Sequence, residues 1–319
     1  MKNNLEGISF DEVFDENGVK YSVFRTSLQP HYSKVMVDIL KGYLFILLLS
    51  ILIILSEYYF NLPWWLIIPA GSLFIGYIAA YLALFIHEAG HYNIHPDKRR
   101  NDRLAILFLC IPFGLSITAY RKIHWQHHIH LGTPSDTENS YFNGFTKLFL
   151  LESLTGIHLL RTMKRKEGNK LLTSEQRKNS KAMLLAGILF HLIILVISLL
   201  FGFWKFAITW FLGFLIFFPF FATIRQILEH RDELARHTTD FFKQPHGKTS
   251  RLFIHTLLSS SFGSAGFTRH MIHHWDPHIS YTRLKDIEDF LLRCRQTSLY
   301  IKEAKTRYRT VLKKLLLAN

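Results

Sequence analysis

The chain has 319 residues, 49% hydrophobic and 15% aromatic, with 38 basic against 24 acidic side chains and a formal charge of +14. Its mean hydropathy is nonetheless positive, at +0.13. Disordered polymers are not this apolar, and two cysteines (Cys110 and Cys294) do not make a disulfide scaffold. A basic soluble nucleic-acid binder leaves the apolar runs unexplained.

Residues 1–41 are polar and mixed in charge, with Asp11, Glu12, Asp15 and Glu16 among them, and lack the basic start and apolar core of a signal peptide. Four apolar stretches follow, at about 42–60, 62–86, 182–204 and 206–224. Each is long enough to cross a hydrocarbon core of about 30 Å at about 1.5 Å per residue. The breaks at Asn61 and Lys205 are short, so the stretches pair into two helical hairpins. Stretch 104–120 sits at the lower length limit for a span and is interrupted by Pro112 and Gly114. A crossing there would put the histidines before and after it on opposite sides. It reads as an interfacial or re-entrant piece. Stretch 145–160 mixes Lys147 and Glu152 with leucine and phenylalanine, as a helix on the membrane surface does. A membrane domain of 42–290 is followed by a basic helical tail, 291–319.

With four spans, the far-side turns hold only Glu57 and Lys205, and every other charged residue falls on the side of both termini. The positive-inside rule makes that side cytoplasmic, most clearly at Lys98, Arg99, Arg100 and Arg103 just after the second span. Topology thus accounts for the charge, and no nucleic-acid partner is expected. The same patches would attract anionic headgroups. The expected location is a bacterial inner membrane or its equivalent.

Eighteen histidines remain to be explained. HEAGH places His87 and His91 at i and i+4, on one helical face. HWQHH brings His124, His127 and His128, and HMIHH repeats that spacing with His270, His273 and His274. His230 follows the fourth span. All nine lie just outside the expected spans and on one side. Imidazoles converging at helical spacing are what a protein-bound metal site requires. His31, His95, His158, His191, His237, His246, His255 and His278 read as ordinary surface or core histidines; His130 adjoins a cluster.

Nine imidazoles exceed the four ligands of one tetrahedral zinc and suit two metal ions of higher coordination number. Imidazole accepts iron, copper, nickel or zinc, so residue type leaves the metal open. HEAGH alone also matches the H-E-x-x-H of zinc metalloproteases, with Glu88 activating water, but that reading leaves seven clustered histidines idle. A transporter would place its ligands near the bilayer midplane. Glu88, Asp136, Glu138, Glu229, Asp232 and Asp276 adjoin the clusters and could orient ligand histidines; Glu88, Glu229 and Asp276 are the closest in sequence.

The three boxes resemble those of the membrane fatty acid desaturase and hydroxylase superfamily: H-x(3,4)-H, H-x(2,3)-H-H and (H or Q)-x-x-H-H among four spanning helices. The resemblance extends over about 60–290 and includes HHWDPHISYTRL, where Pro277, Tyr281 and Leu284 match the family's stretch after the third box, and His230 as the extra histidine. It implies an all-α integral membrane enzyme with a cytoplasmic helical cap carrying the boxes. It further implies two iron ions held by these histidines, dioxygen as co-substrate, and attack on an unactivated C–H bond of a lipid chain. The third box opens with His270 rather than Gln, and no H-P-G-G motif of a fused cytochrome occurs. No flavin or nicotinamide fingerprint is present either, so electrons should come from a separate ferredoxin-like or cytochrome-type donor with its reductase. The expected activity is desaturation of a fatty acyl chain drawn from the membrane; the alternative is hydroxylation of a lipid, alkane or carotenoid-like substrate.

Overall fold

In apolar surroundings a backbone has no polar partner but its own ladder, and the long Leu, Ile and Phe runs fold accordingly. The computed structural model contains four 27-residue helices long and apolar enough to cross a membrane: Tyr32–Tyr58, Trp64–Gly90, Ser174–Leu200 and Trp204–His230. The structure describes residues 5, 7–60, 62–155, 157, 170–243 and 246–318. Among them, strands are confined to a parallel pairing of Leu252–Phe253 with Lys305–Thr306.

The helices outrun the apolar stretches that announce them. The third begins at Ser174 rather than near 182, because Thr173 and Gln176 form a reciprocal capping box ahead of the polar turn. The fourth continues past 224 through Arg225, Gln226 and Glu229, good helix formers all, and ends on His230 itself. Stretch 145–160 contains the helix Lys147–Leu154, capped by Thr146. Residues 156 and 158–160 of that stretch, His158 included, lie outside the described residues.

The described residues group into two compact units, the first made of 36–125 and 146–225. In that unit the carboxylate of Glu57 accepts the backbone N–H groups of Lys205 and Phe206, each at 3.3 Å. A helix N-terminus carries partial positive charge, so an acidic side chain belongs there. Lys205 Nζ in turn donates to the Leu62 carbonyl at 3.2 Å. Both charged groups expected at the far-side turns are therefore hydrogen-bonded locally. Below them Ile46, Ile53, Ile67, Ile75, Phe206 and Trp210 form an apolar core. Helix Trp64–Gly90 approaches the fourth helix closely, since a Cβ on Gly76 would fall 2.3 Å from that of Phe217. Leu185, Leu189, Ile193 and Leu200 point outward from the third helix, as lipid-facing residues do.

Stretch 104–120 is broken. Helical segments Lys98–Phe113 and Ile117–His130 meet at 86°. A π turn at Ile106–Cys110 precedes the break, and Gly114 makes it with φ +62. His191 holds the bend: Trp210 Nε1 donates to its Nδ1 at 3.1 Å, so Nε2 carries the proton and donates to the Pro112 carbonyl at 2.9 Å. This histidine is a satisfied structural residue, as expected for one outside the boxes.

The second unit comprises the described residues of 1–35, 126–145 and 226–319. Its core gathers Tyr21, Met271, Ile272, Ile287, Phe290, Leu291 and Ile301. The tail contributes helices Leu284–Arg293, Ser298–Glu303 and Tyr308–Leu317. Glu288 pins them, accepting from Arg269 Nε at 2.6 Å and Lys305 Nζ at 2.7 Å.

Candidate metal centre

Seven of the nine histidines sit in the last turn of a helix or cap it; His124 lies mid-helix and His270 opens its own short helix. His87 is in the last turn of Trp64–Gly90 and His91 is its C-cap. His127 and His128 close Ile117–His130, His230 closes the fourth apolar helix, and His273 and His274 close the short helix His270–Trp275. Seven of the nine are buried; His128 and His274 are partly so. Burying so many imidazoles without a partner would be costly, which makes their mutual spacing informative.

In the first unit, His91 Nε2 and His124 Nε2 are 3.1 Å apart. The His87 ring lies 4.8 Å from that of His91 and 4.6 Å from that of His124. Tyr120 stacks on His124 at 5.3 Å and 9°. Glu88 brings a carboxylate oxygen to 3.5 Å from His87 Nδ1.

In the second unit, His127, His230, His270 and His274 offer nitrogens that all lie within 4.8 Å of one another. His270 Nε2 is 2.9 Å from His230 Nε2 and 3.2 Å from His274 Nε2. His273 Nε2 and His128 Nε2 face each other at 3.2 Å. Nitrogens about 2.1 Å from one ion lie about 3.0–3.4 Å apart at octahedral or tetrahedral angles. The observed spacings match. His230 Nδ1 donates to the Thr249 carbonyl at 2.8 Å, which leaves its Nε2 as a lone pair facing His270. A proton on His270 Nε2, or a cation between the two nitrogens, would satisfy that lone pair.

Neighbouring carboxylates and crowded imidazoles shift two of these histidines in opposite directions. Burial opposes a charge on His127, but Asp136, then Glu138 and Glu229, raise its pKa to about 9. His274 is pushed well below its ordinary value by burial and by the imidazoles of His128, His270, His230 and His127, so its lone pair stays available.

Of the three carboxylates expected to steady ligands, Glu88 and Glu229 lie beside them; a Glu229 oxygen is 3.9 Å from His270 Nε2. Asp276 differs. Its buried carboxylate is taken by Tyr21 Oη and Arg25 Nη2, each at 2.9 Å, and by Arg25 Nε. The helix stops at Trp275, and extended backbone at Asp276 (φ −131, ψ 82) turns the side chain away from the box. The carboxylate that holds a box histidine is Asp136, whose oxygens lie 2.9 and 3.1 Å from His127 Nδ1. It also accepts from Tyr141 Oη and, at 2.8 Å, from the Glu138 backbone N–H. Adjacency in sequence favoured Asp276; a turn at residues 131–136 brings in Asp136.

Asparagine at 136 has one acceptor oxygen for donors that now share two. Asp136→Asn should lower metal retention about 10–100-fold, read as metal content after dialysis against a graded chelator. Unchanged retention would remove Asp136 from the ligand support.

Four helices of membrane length, two of them ending in these histidines, and clustered buried imidazoles are compatible with an integral membrane protein able to hold metal. The chain belongs to the fatty acid desaturase family, whose model matches residues 63–302. That match covers the eight histidines of the three boxes and His230. No curated protein matches the chain.

Proposed function

We propose that the protein is an oxygen-dependent desaturase that introduces a double bond into a fatty acyl chain, with two iron ions held by His87, His91, His124, His127, His128, His230, His270, His273 and His274. The observation that carries this reading is the Nε2 spacing of 2.9–3.2 Å within each histidine set, in a chain of this family. A lone zinc protease motif would not recruit His124 to His91. When bound, the irons supply dioxygen activation. Removing two hydrogens from adjacent methylenes with one O₂, two electrons and two protons gives an alkene and two waters.

The chain's own residues hold and orient. Asp136 and Thr249 fix the tautomers of His127 and His230, so their Nε2 atoms remain ligands throughout turnover. The apolar helices, paired as two hairpins, would bring the acyl chain from the bilayer, and the cap would exclude water around one methylene. The charge asymmetry supports a cytoplasmic location for boxes and termini. It also suits an acidic ferredoxin-like or cytochrome-type donor docking on the basic face.

The Glu229–His230 pair keeps hydroxylation as the second reading, because the same ligand set can return oxygen to the carbon radical's position. Lipid mass spectrometry of cells with and without the protein tests both. Loss of two mass units in an acyl chain supports desaturation; a gain of sixteen supports hydroxylation. Unchanged lipids in cells holding iron-loaded protein and a donor would sink the proposal.

A further inference from the structure

Helix Trp64–Gly90 ends in an uncommon way. Tyr92 N donates to the Ala89 carbonyl at 3.1 Å and Asn93 N to the Glu88 carbonyl at 2.9 Å, the paired bonds of a Schellman ending. Glycine normally occupies the left-handed position of that motif, but here it is Tyr92, at φ +62. A side chain that accepts this strain should be doing something glycine could not.

The Tyr92 ring carries the guanidinium of Arg121, whose carbon lies 3.8 Å from the ring centroid. Arg121 Nε donates to the Gly90 carbonyl at 2.9 Å and Nη2 to the Ala89 carbonyl at 3.3 Å. Asp102 holds the far side of the fork, with oxygens 2.5 Å from Nη2 and 3.3 Å from Nη1. Gly90 immediately precedes His91, and Arg121 lies three residues before His124, so on the same helical face. One planar group thus ties the end of the helix carrying His87 and His91 to the helix carrying His124.

We propose that Arg121, clamped between Tyr92 and Asp102, is a positioning residue that fixes the approach of His91 to His124 and so sets the metal affinity of the His87, His91 and His124 set. The inference rests on reading those histidines as ligands. Lysine cannot replace arginine here, because a point charge lacks the fork and the flat face.

Equilibrium dialysis of the metal-free protein in nanodiscs against Co²⁺ tests it, with metal-free thermal unfolding measured alongside. Arg121→Gln and Arg121→Lys should weaken one class of Co²⁺ site about 10–100-fold and leave the other unchanged. Tyr92→Phe should match the wild type. Tyr92→Gly is the decisive variant: it relieves the backbone, so unfolding temperature should hold or rise, yet Co²⁺ binding should weaken as with Arg121→Gln. Tight binding of both classes in Tyr92→Gly and Arg121→Lys would overturn the clamp. A wild-type protein that bound no Co²⁺ would overturn the ligand reading itself.

Discussion

Replacing His270 with alanine should remove one metal ion from the purified protein and lower turnover roughly a thousandfold or more, while the protein stays in the membrane. The imidazole is within 3.2 Å of two other ligand nitrogens, so it is the most central member of its set. Its loss leaves His230 Nε2, already committed as a lone pair by Thr249, facing an empty space. An effect of several kcal/mol on a transition state corresponds to that drop in rate. His270 is buried against Phe267, 4.8 Å away, but the four long helices do not depend on it. Metal content by elemental analysis and turnover by product formation check the two halves separately. A variant that keeps its full metal complement and most of its activity would break the assignment.

The largest stability effect is expected at Gly132. This residue ends helix Ile117–His130 at φ +74, and a Cβ there would fall 1.9 Å from the Gly247 carbonyl oxygen and 2.4 Å from its carbon. Neither is a side chain that could rotate away. Gly132→Ala should cost roughly 3 kcal/mol or more, beyond the usual range of surface substitutions. The Gly132 N–H also donates to Tyr141 Oη at 3.0 Å and lies 3.4 Å from Asp136. Metal retention should therefore fall with stability. Gly247→Ala supplies the control, since Gly247 has a similar φ of +78 and a Cβ on it would meet nothing among the described residues within 4 Å. It should cost only about 1 kcal/mol. Equal losses in thermal unfolding for the two variants would show that the close approach is not what matters.

The boxes were legible because a helix imposes their spacing: i and i+4, or i, i+3 and i+4, put imidazoles on one face whatever the tertiary structure. The four apolar helices were legible for a similar reason, as solvent preference is a local property of a run of residues. Their ends were not. Ser174 opens a helix with a polar first turn and His230 closes one with a polar last turn, and capping and helix propensity govern there, not hydropathy. The supporting residues were the least legible. Asp136 stood among six candidate carboxylates, and only the turn at Gly132 and the hydroxyl of Tyr141 single it out. Arg121 and Tyr92 gave no signal at all, because a stack between residues 29 apart and a left-handed tyrosine are products of the folded chain.

The placement of seven of the nine histidines at a helix's last turn or C-cap has a consequence for the choice of ligands. Imidazole is neutral, so a metal bound by histidines alone keeps its whole charge inside the protein. A helix C-terminus carries roughly half a negative charge and favours a nearby cation by about 0.3–1 kcal/mol. In the proposed metal centre the long helices that end beside His91 and at His230 would supply part of that countercharge from their macrodipoles. The ligand shell can then remain neutral and easily oxidised metal can be held without an anionic side chain in direct contact.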